Sequence, residues 1–502
     1  MVIKNQASSI AKQVELTASK VTTLYVFACV LTTPLMADPN PNQPLDRPYT
    51  LLNSKPALLE AEYHRLILRD VPQSFTFPRP CWSELDSSNV CEFRKGWSIS
   101  DTGRDRELRL SPLLGYEYRY LGSHVQAGDF GVVVEGGTGP VSFYLDARIY
   151  TEMYDDLFHP SYDREFVERQ DENTSGSIAY TSYSRYRSNL SYDWSWGRIT
   201  AARDALHWGP GQFANLVFQQ DAVPFNQLTF TSHLGPVSVQ SVYGQLAASD
   251  DWEHDSSSET KSVYAHRYEW RASRNIMFGI SEQLVMYKAT APFAFLPVIP
   301  LFITKASEKE RLNNGNIAGD VAYRIPGLGR IYSEFLIDDI QSPTSLFDDS
   351  WGNKWAWMTG AHWIQQMGAF QSGLILEYSR VEPWVYTHYL PHTAQAAHQD
   401  FPLGNSWGPN SQTAIAKVYL SSQNQWYISI RSDLVWKGTD SGSSLEDIHV
   451  SGDERKEFLA GSPSPKWQFN PYGWISWHET MVYASLSIAE NIQAVLGVQY
   501  AY

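Results

Sequence analysis

Cysteine is scarce in this chain, long apolar runs are missing, and positive charge is in deficit. There are three cysteines. Cys29 falls in an N-terminal leader described below, which leaves Cys81 and Cys91. In an oxidising compartment a disulfide between these two is the expected state, with two free thiols as the alternative. Without a histidine beside them they make a poor zinc site. Lys and Arg number 39 against 54 Asp and Glu, a net charge of −15, so nothing recommends a nucleic-acid partner, which needs a basic surface. There is no G-x-S-x-G elbow, no H-E-x-x-H and no P-loop, so no catalytic signature, cofactor or metal is expected. Acidic pairs such as Asp155-Asp156, Asp250-Asp251 and Asp348-Asp349 do not have the spacing of a calcium loop. After the leader, the most apolar stretch is Phe293–Phe302, which is short and interrupted by Pro297 and Pro300. It cannot form a membrane-spanning helix. Such a chain enters a membrane only as a closed sheet, in which every backbone group finds a partner.

Aromatic residues are abundant: 18 Trp, 29 Tyr and 22 Phe, at a mean hydropathy of −0.34. They are interleaved with Ser, Gln, Arg and Asp, the mixture of a wall with one face in lipid and the other in water. Residues 1–37 read as a secretory signal. Lys4, Lys12 and Lys20 precede the apolar run Val21–Leu31, and small Ala37 is followed by polar Asp38-Pro-Asn-Pro-Asn. An uncleaved anchor is the alternative, although the run is short for a bilayer helix. Residues 38–105 read as a periplasmic linker. Within it, Ser54 and Pro56 open a short helix carrying Leu59, Tyr63, Leu66 and Ile67 on one face.

Period-2 alternation recurs through residues 106–502. Val141, Phe143, Leu145, Ala147 and Ile149 alternate with Ser142, Tyr144, Asp146, Arg148, Tyr150 and Glu152. Tyr264, His266, Tyr268 and Trp270 alternate with Ala265, Arg267, Glu269 and Arg271. Trp426, Ile428 and Ile430 alternate with Tyr427, Ser429 and Arg431. The C-terminus places Ile492, Ala494, Leu496, Val498, Tyr500 and Tyr502 on one face and ends on an aromatic. That ending resembles the signal read by the outer-membrane insertion machinery. The expected fold is all-β, a transmembrane antiparallel β-barrel among the outer-membrane lipids of a Gram-negative bacterium. At about 22–25 residues per strand and connection, about 16–18 strands fit into 106–502. The polar stretches Tyr154–Ser177, Ser249–Lys261, Asp338–Lys354, Tyr386–Ser411 and Gly438–Pro471 are expected to be extracellular loops.

Glu334 and Asp338 share one strand face, the arrangement of a glycosidase carboxylate pair, yet carboxylates facing a polar lumen are common, and a non-enzymatic role is favoured. Three further segments are more distinctive. The first is Gly197-Arg-Ile-Thr-Ala-Ala-Arg-Asp-Ala-Leu-His-Trp-Gly-Pro-Gly211, followed by Ala222-Val-Pro-Phe-Asn-Gln-Leu228. The second is Asn316-Ile-Ala-Gly-Asp320, leading into Tyr332-Ser-Glu334 and Asp338-Asp339. The third is Glu377-Tyr-Ser-Arg380, then Pro383-Trp-Val-Tyr-Thr-His388 and Trp407-Gly-Pro-Asn410. In this order they resemble the capsule assembly protein Wzi family, from about residue 105 to the C-terminus. The resemblance implies a barrel of about eighteen strands with a small helical element on the periplasmic side. It also implies a lectin-like role in holding capsular polysaccharide at the cell surface. Arg203, Asp204, His207 and Trp208, together with Trp384, Tyr386, His388, Trp407 and Asn410, offer the rings and polar groups that bind sugars. Each also has a structural reading: aromatics form interface girdles, and Arg203-Asp204 reads equally as a lumen ion pair. The functional alternatives are a porin or substrate-specific channel, which an open lumen would favour, and a hydrolase using Glu334.

Overall fold

The computed structural model describes residues 97–101 and 106–501, apart from short stretches of which the longest are 156–167, 248–260 and 303–312. The expected leader, the helix opening at Ser54, and Cys81 and Cys91 lie outside the described residues.

The alternating segments form strands, and the strands close into a barrel. In chain order they are β1 (Arg106–Tyr120), β2 (His124–Thr138), β3 (Val141–Asp155), β4 (Ile178–Trp194), β5 (Gly197–Asp204) and β6 (Phe225–Leu234). There follow β7 (Val237–Leu246), β8 (Lys261–Arg271), β9 (Ile276–Tyr287), β10 (Asn313–Ile325), β11 (Gly329–Asp339) and β12 (Lys354–Met367). The last six are β13 (Phe370–Val381), β14 (Ser411–Ser422), β15 (Trp426–Lys437), β16 (Lys466–Trp477), β17 (Thr480–Ile488) and β18 (Ile492–Ala501). Each pairs antiparallel with the next, and β18 closes on β1 from Leu113↔Ala501 to Tyr120↔Ala494. The result is an 18-stranded antiparallel barrel, within the range that chain length allows. A short strand, Trp97–Asp101, pairs with Arg106–Leu110 of β1. It continues the edge of β1 past the end of β18, inside a segment expected to be linker.

One end of the barrel carries only connections of two to four residues, such as Gly139-Pro140, Ser195-Trp196 and Gly235-Pro236. The other end carries every long connection. Outer-membrane barrels keep their periplasmic turns short, so the long connections are extracellular. The outward face is apolar. Leu114, Phe130 and Ile149 lie side by side on β1, β2 and β3 and are exposed, as are Leu190, Ile428 and Leu496 on their strands. The inward face is charged and paired. Because residues i and i+2 of a strand share a face, an arginine and a carboxylate two positions apart meet in the lumen. Asp146 and Arg148 do so at 2.7 Å, Arg267 and Glu269 at 2.8 Å, and Arg431 and Asp433 at 2.8 Å. Arg267 also reaches Asp320 on β10 at 2.8 Å. Tyr332 lies flat across Gly360 of the next strand, where a Cβ would come within 2.5 Å of its ring.

β8 departs from this pattern. Tyr264 and His266 face outward but are buried, because residues 291–301 lie against the outside of the wall there. The sequence alternation gives no sign of that cover.

The lipid-facing assignment predicts that Leu496→Arg, in the middle of β18, costs about 2–4 kcal/mol, the usual penalty for a cation near the bilayer midplane. Urea titration of the barrel refolded in lipid vesicles measures it. Ser441→Arg, at an exposed position in an extracellular connection, should leave the midpoint unchanged.

Candidate functional site: a filled extracellular mouth and its outer cap

The connection from β5 to β6 (residues 205–224) and that from β13 to β14 (residues 382–410) do not project outward. Both fold into the extracellular half of the lumen, where most of their residues are buried. The first is a loop closed on itself: Trp208 N–H donates to Phe218 O at 3.1 Å, and the two rings meet edge to face at 5.0 Å. Together with Leu216, Val217, Tyr386, Val385 and Leu403 they form an apolar core continuous with wall residues Val242, Val263, Leu336 and Met358. The expectation that Tyr386–Ser411 is an extracellular loop is therefore corrected for most of its length. Its polar residues are satisfied inside the barrel instead of by water.

Packing alone cannot seat irregular backbone in a barrel, because its N–H and C=O groups need partners. The wall supplies them. Glu377 on β13 accepts the N–H groups of Gln212 at 2.5 Å and Phe213 at 2.9 Å, and the Tyr332 hydroxyl at 2.7 Å. Glu334 on β11 accepts Leu216 N–H at 2.9 Å. Asp338, four residues along the same face, accepts Tyr386 N–H at 2.7 Å. Donors act in the same way: Gln283 Nε2 reaches Val217 O at 3.3 Å, Asn314 Nδ2 reaches Thr387 O at 3.0 Å, and Lys261 Nζ reaches Ala397 O at 2.8 Å. The two inserted segments also bond each other, through Gln219 N–H to Leu403 O at 2.7 Å and the Tyr386 hydroxyl to Leu216 O at 2.8 Å. Glu334 and Asp338, the pair that invites a glycosidase reading, are thus both engaged as acceptors of inserted backbone.

The nine residues singled out from the sequence are divided by this arrangement. Trp208 is 0% exposed, and His207 is buried beside Asn215, whose Oδ1 accepts Gly211 N–H at 2.7 Å. Asp204 pairs with Arg187 at 3.2 Å, whereas the Arg203 guanidinium lies over the Tyr186 ring at 5.0 Å. Trp384 and Tyr386 are buried, with φ of 71° and 70°, the left-handed region that costs an L-residue ~1–2 kcal/mol. The strain is held by Trp384 N–H to Gly442 O at 3.0 Å and by Asp338 on Tyr386. Gly442 must itself lack a Cβ, which would lie 2.6 Å from the Trp384 ring. Asn410, fully buried, joins two connections: its Nδ2 donates to Ser443 at 2.8 Å and its Oδ1 accepts Leu459 N–H at 2.7 Å. His388 packs on exposed Tyr389 at 4.4 Å. Trp407 is half-buried.

Above the inserted segments, residues 340–353 and 438–465 form a cap. Lys456 is buried between Glu382 Oε2, at 2.8 Å, and the Asn353 carbonyl. Its burial depresses the ammonium below the ordinary lysine range, against the pull of Glu382. Trp351, half-buried, stacks on His449 at 3.8 Å and donates Nε1–H to Glu454 Oε2 at 3.2 Å. Lys354 Nζ lies 5.4 Å from the Trp351 ring, and His449 continues inward to the edge of Trp384 at 5.6 Å. Neither Trp351 and His449 nor Glu377 as a backbone acceptor was picked out as functional from sequence. Trp351 and His449 stand on two different connections, and no local spacing joins them.

The wall contacts can be tested by removing one acceptor. Glu377→Ala takes this acceptor from the Gln212 and Phe213 N–H groups and the Tyr332 hydroxyl, at ~1–3 kcal/mol for each buried hydrogen bond lost. The inserted loop at 205–224 should become protease-sensitive, and single-channel recordings should show ion conductance larger than wild type. A pH dependence is expected as well. His398 Nδ1 accepts Ala247 N–H at 2.8 Å, and burial, then the Lys261 and Arg203 charges, pushes its pKa down to about 3 from 6.5. A released segment binds that proton near pH 6.5 while the seated one does not, so seating is at full strength above 6.5 and weakens as pH falls toward 3. Proteolysis of 382–410 should quicken between pH 7 and pH 4, and less so in His398→Gln.

The family model described as capsule assembly protein Wzi matches residues 129–483. No curated protein matches the chain by sequence. Among solved structures, the fold is similar to that of Wzi of Escherichia coli, reported as an outer-membrane protein involved in group 1 capsule assembly and a carbohydrate-binding β-barrel. The TM-score is 0.50 and the identity 12%, over 80% of this chain and 85% of that one. Acinetobacter baumannii OccAB2 gives 0.43 and 10%, over 79% and 98%. Pseudomonas aeruginosa opdK gives 0.42 and 10%, over 79% and 99%. A closed barrel with an apolar outer band belongs in the outer membrane of a Gram-negative bacterium, and the match over residues 129–483 identifies the chain as a member of the capsule assembly protein Wzi family.

Proposed function

We propose that this protein holds capsular or other extracellular polysaccharide at the cell surface, without turning it over. The observation that carries the reading is the filled mouth: the connections at 205–224 and 382–410, which carry parts of the first and third family-like segments, are inserted into the lumen and bonded to its wall, while aromatics are presented outside. A solute pathway would need the space that Trp208, Phe218 and Tyr386 occupy. Family membership and the carbohydrate-binding description of the E. coli relative support the same reading. Against hydrolysis stands the engagement of Glu334 and Asp338 with inserted backbone.

The polymer-contacting surface is proposed to be the cap, through Trp351 with His449, together with half-buried Trp407 and exposed Tyr389 on the 382–410 connection beneath it. Arg203, Asp204, His207, Trp208, Trp384, Tyr386, His388 and Asn410 then act from beneath, by fixing the connections on which these rings stand. Sugar rings stack on such faces through C–H groups, each contact weak, and many units of one polymer engaging many barrels make retention firm by avidity.

Purified barrel in detergent, titrated with the polysaccharide of the source strain, tests this. Trp351→Ala and Trp407→Ala should each weaken binding several-fold with the barrel still folded. Binding that survives both replacements together would move the contact surface elsewhere.

A further inference from the structure

Residues 291–302, Ala-Pro-Phe-Ala-Phe-Leu-Pro-Val-Ile-Pro-Leu-Phe, lie between β9 and β10 and contain no charged or hydrogen-bonding side chain. They neither project as a loop nor enter the lumen. They run along the outside of the wall over β7, β8 and β9, with a 3₁₀ turn at Pro292–Phe295. Ala294 and Leu301 pack on outward-facing Tyr264, Leu284 and Met286, joined by Tyr243 and Phe295. The opposite side of the segment is bare: Val298 is 81% exposed and Phe293 75%, with Leu296 and Phe302 also exposed.

The outer wall beneath it carries polar side chains that a lipid-facing surface ordinarily excludes. Ser241, His266 and Glu282 stand in one row across β7, β8 and β9. All three bond the segment's backbone. The Ser241 hydroxyl donates to Phe295 O, His266 Nε2 to Ala294 O at 2.9 Å, and Glu282 Oε2 accepts Leu301 N–H at 2.8 Å. Above and below the row, Tyr264 accepts Ala291 N–H at 3.1 Å and Tyr268 donates to Pro297 O at 2.8 Å. Within the segment, Ala294, Leu296 and Ile299 donate to Ala291, Phe293 and Leu296 carbonyls. Three further positions are proline and have no N–H to satisfy.

We propose that residues 291–302 form a strap immersed in the acyl chains of the outer membrane, a second layer of the barrel wall whose apolar face is a lipid-contact surface. Irregular backbone is tolerated at membrane depth only where protein satisfies its polar groups, and the wall's polar row does that here. An aqueous loop would have no need of it. The depth agrees. Tyr268 lies seven residues from the extracellular start of β8, roughly 24 Å along the strand. At the usual tilt of about 40° that is ~18 Å along the membrane normal, well within an apolar band of ~25 Å. The surface is continuous with the lipid-facing band, since Trp270, Phe278 and Ile280 are exposed on the same faces of β8 and β9.

The test uses full-length protein with Cys29, Cys81 and Cys91 replaced by serine and Val298→Cys carrying an environment-sensitive fluorophore, reconstituted in phosphatidylcholine vesicles. Ile280→Cys serves as the lipid-facing control and Ser441→Cys, exposed on an extracellular connection, as the aqueous one. The strap predicts blue-shifted emission at 298 that doxyl groups on the acyl chains largely quench and aqueous iodide leaves intact, as at 280. Quenching by iodide and not by doxyl lipid, as at 441, overturns it. So does protection from both quenchers, which would mean that a second protein molecule covers the surface. Loss of polysaccharide binding has no bearing on these readings, so the strap and the proposed function fail separately.

Discussion

The structure depends on carboxylates that face into the barrel and accept backbone N–H groups from chain that is not part of the wall. Glu377, Glu334 and Asp338 sit on β13 and β11 at positions where period-2 geometry turns them inward. Without them, the segments at 205–224 and 382–410 would carry buried, unpartnered amides and would have no reason to leave water. With them, the segments seat, their apolar residues find one another, and Trp208, Phe218 and Tyr386 complete a core in a place where a barrel of this size has none of its own. The left-handed backbone at Trp384 and Tyr386 is the cost of that fit, and it is sustained by Asp338 and Gly442. The outer cap in turn rests on the seated segments through Lys456, Asn410 and the contact of His449 with Trp384.

The same rule operates on the opposite face of the wall. Ser241, His266 and Glu282 do for the strap at 291–302 what Glu334 and Glu377 do for the inserted loops. In both places an irregular segment leaves water because strand side chains satisfy its backbone. The barrel is thus layered on both sides of its wall, with a polar-anchored filling inside and an apolar-faced strap outside.

The wall was legible in the sequence because its pattern is local. Alternation at 141–152 and at 426–431, the aromatic-ended last strand and the spacing of polar stretches give strand positions, facing and an approximate count. The inserted segments were not legible in the same way. Tyr386–Ser411 is as polar as a loop, and what distinguishes it is where its amides go, which is decided by Glu334, Asp338 and Asn314 on distant strands. Trp208 and Trp384 look like sugar platforms because a ring packed in a core and a ring offered to a ligand carry the same letter. Asp338 reads both as sharing a strand face with Glu334 and as the start of a polar stretch, and it lies at the end of a strand, buried. The strap was visible only as a proline-broken apolar run. Its partners Ser241, His266 and Glu282 fit the lumen as well as the lipid face until register fixes the side on which they stand.

The central claim is that a barrel with a filled mouth serves to keep polymer attached. It is tested most directly by separating cell-attached from released polysaccharide in a strain lacking this chain, with the wild-type chain restored as the control. The account predicts that the polymer is still made but is shed into the medium, and that restoring the chain returns it to the cell. Unchanged attachment in the deleted strain would contradict it.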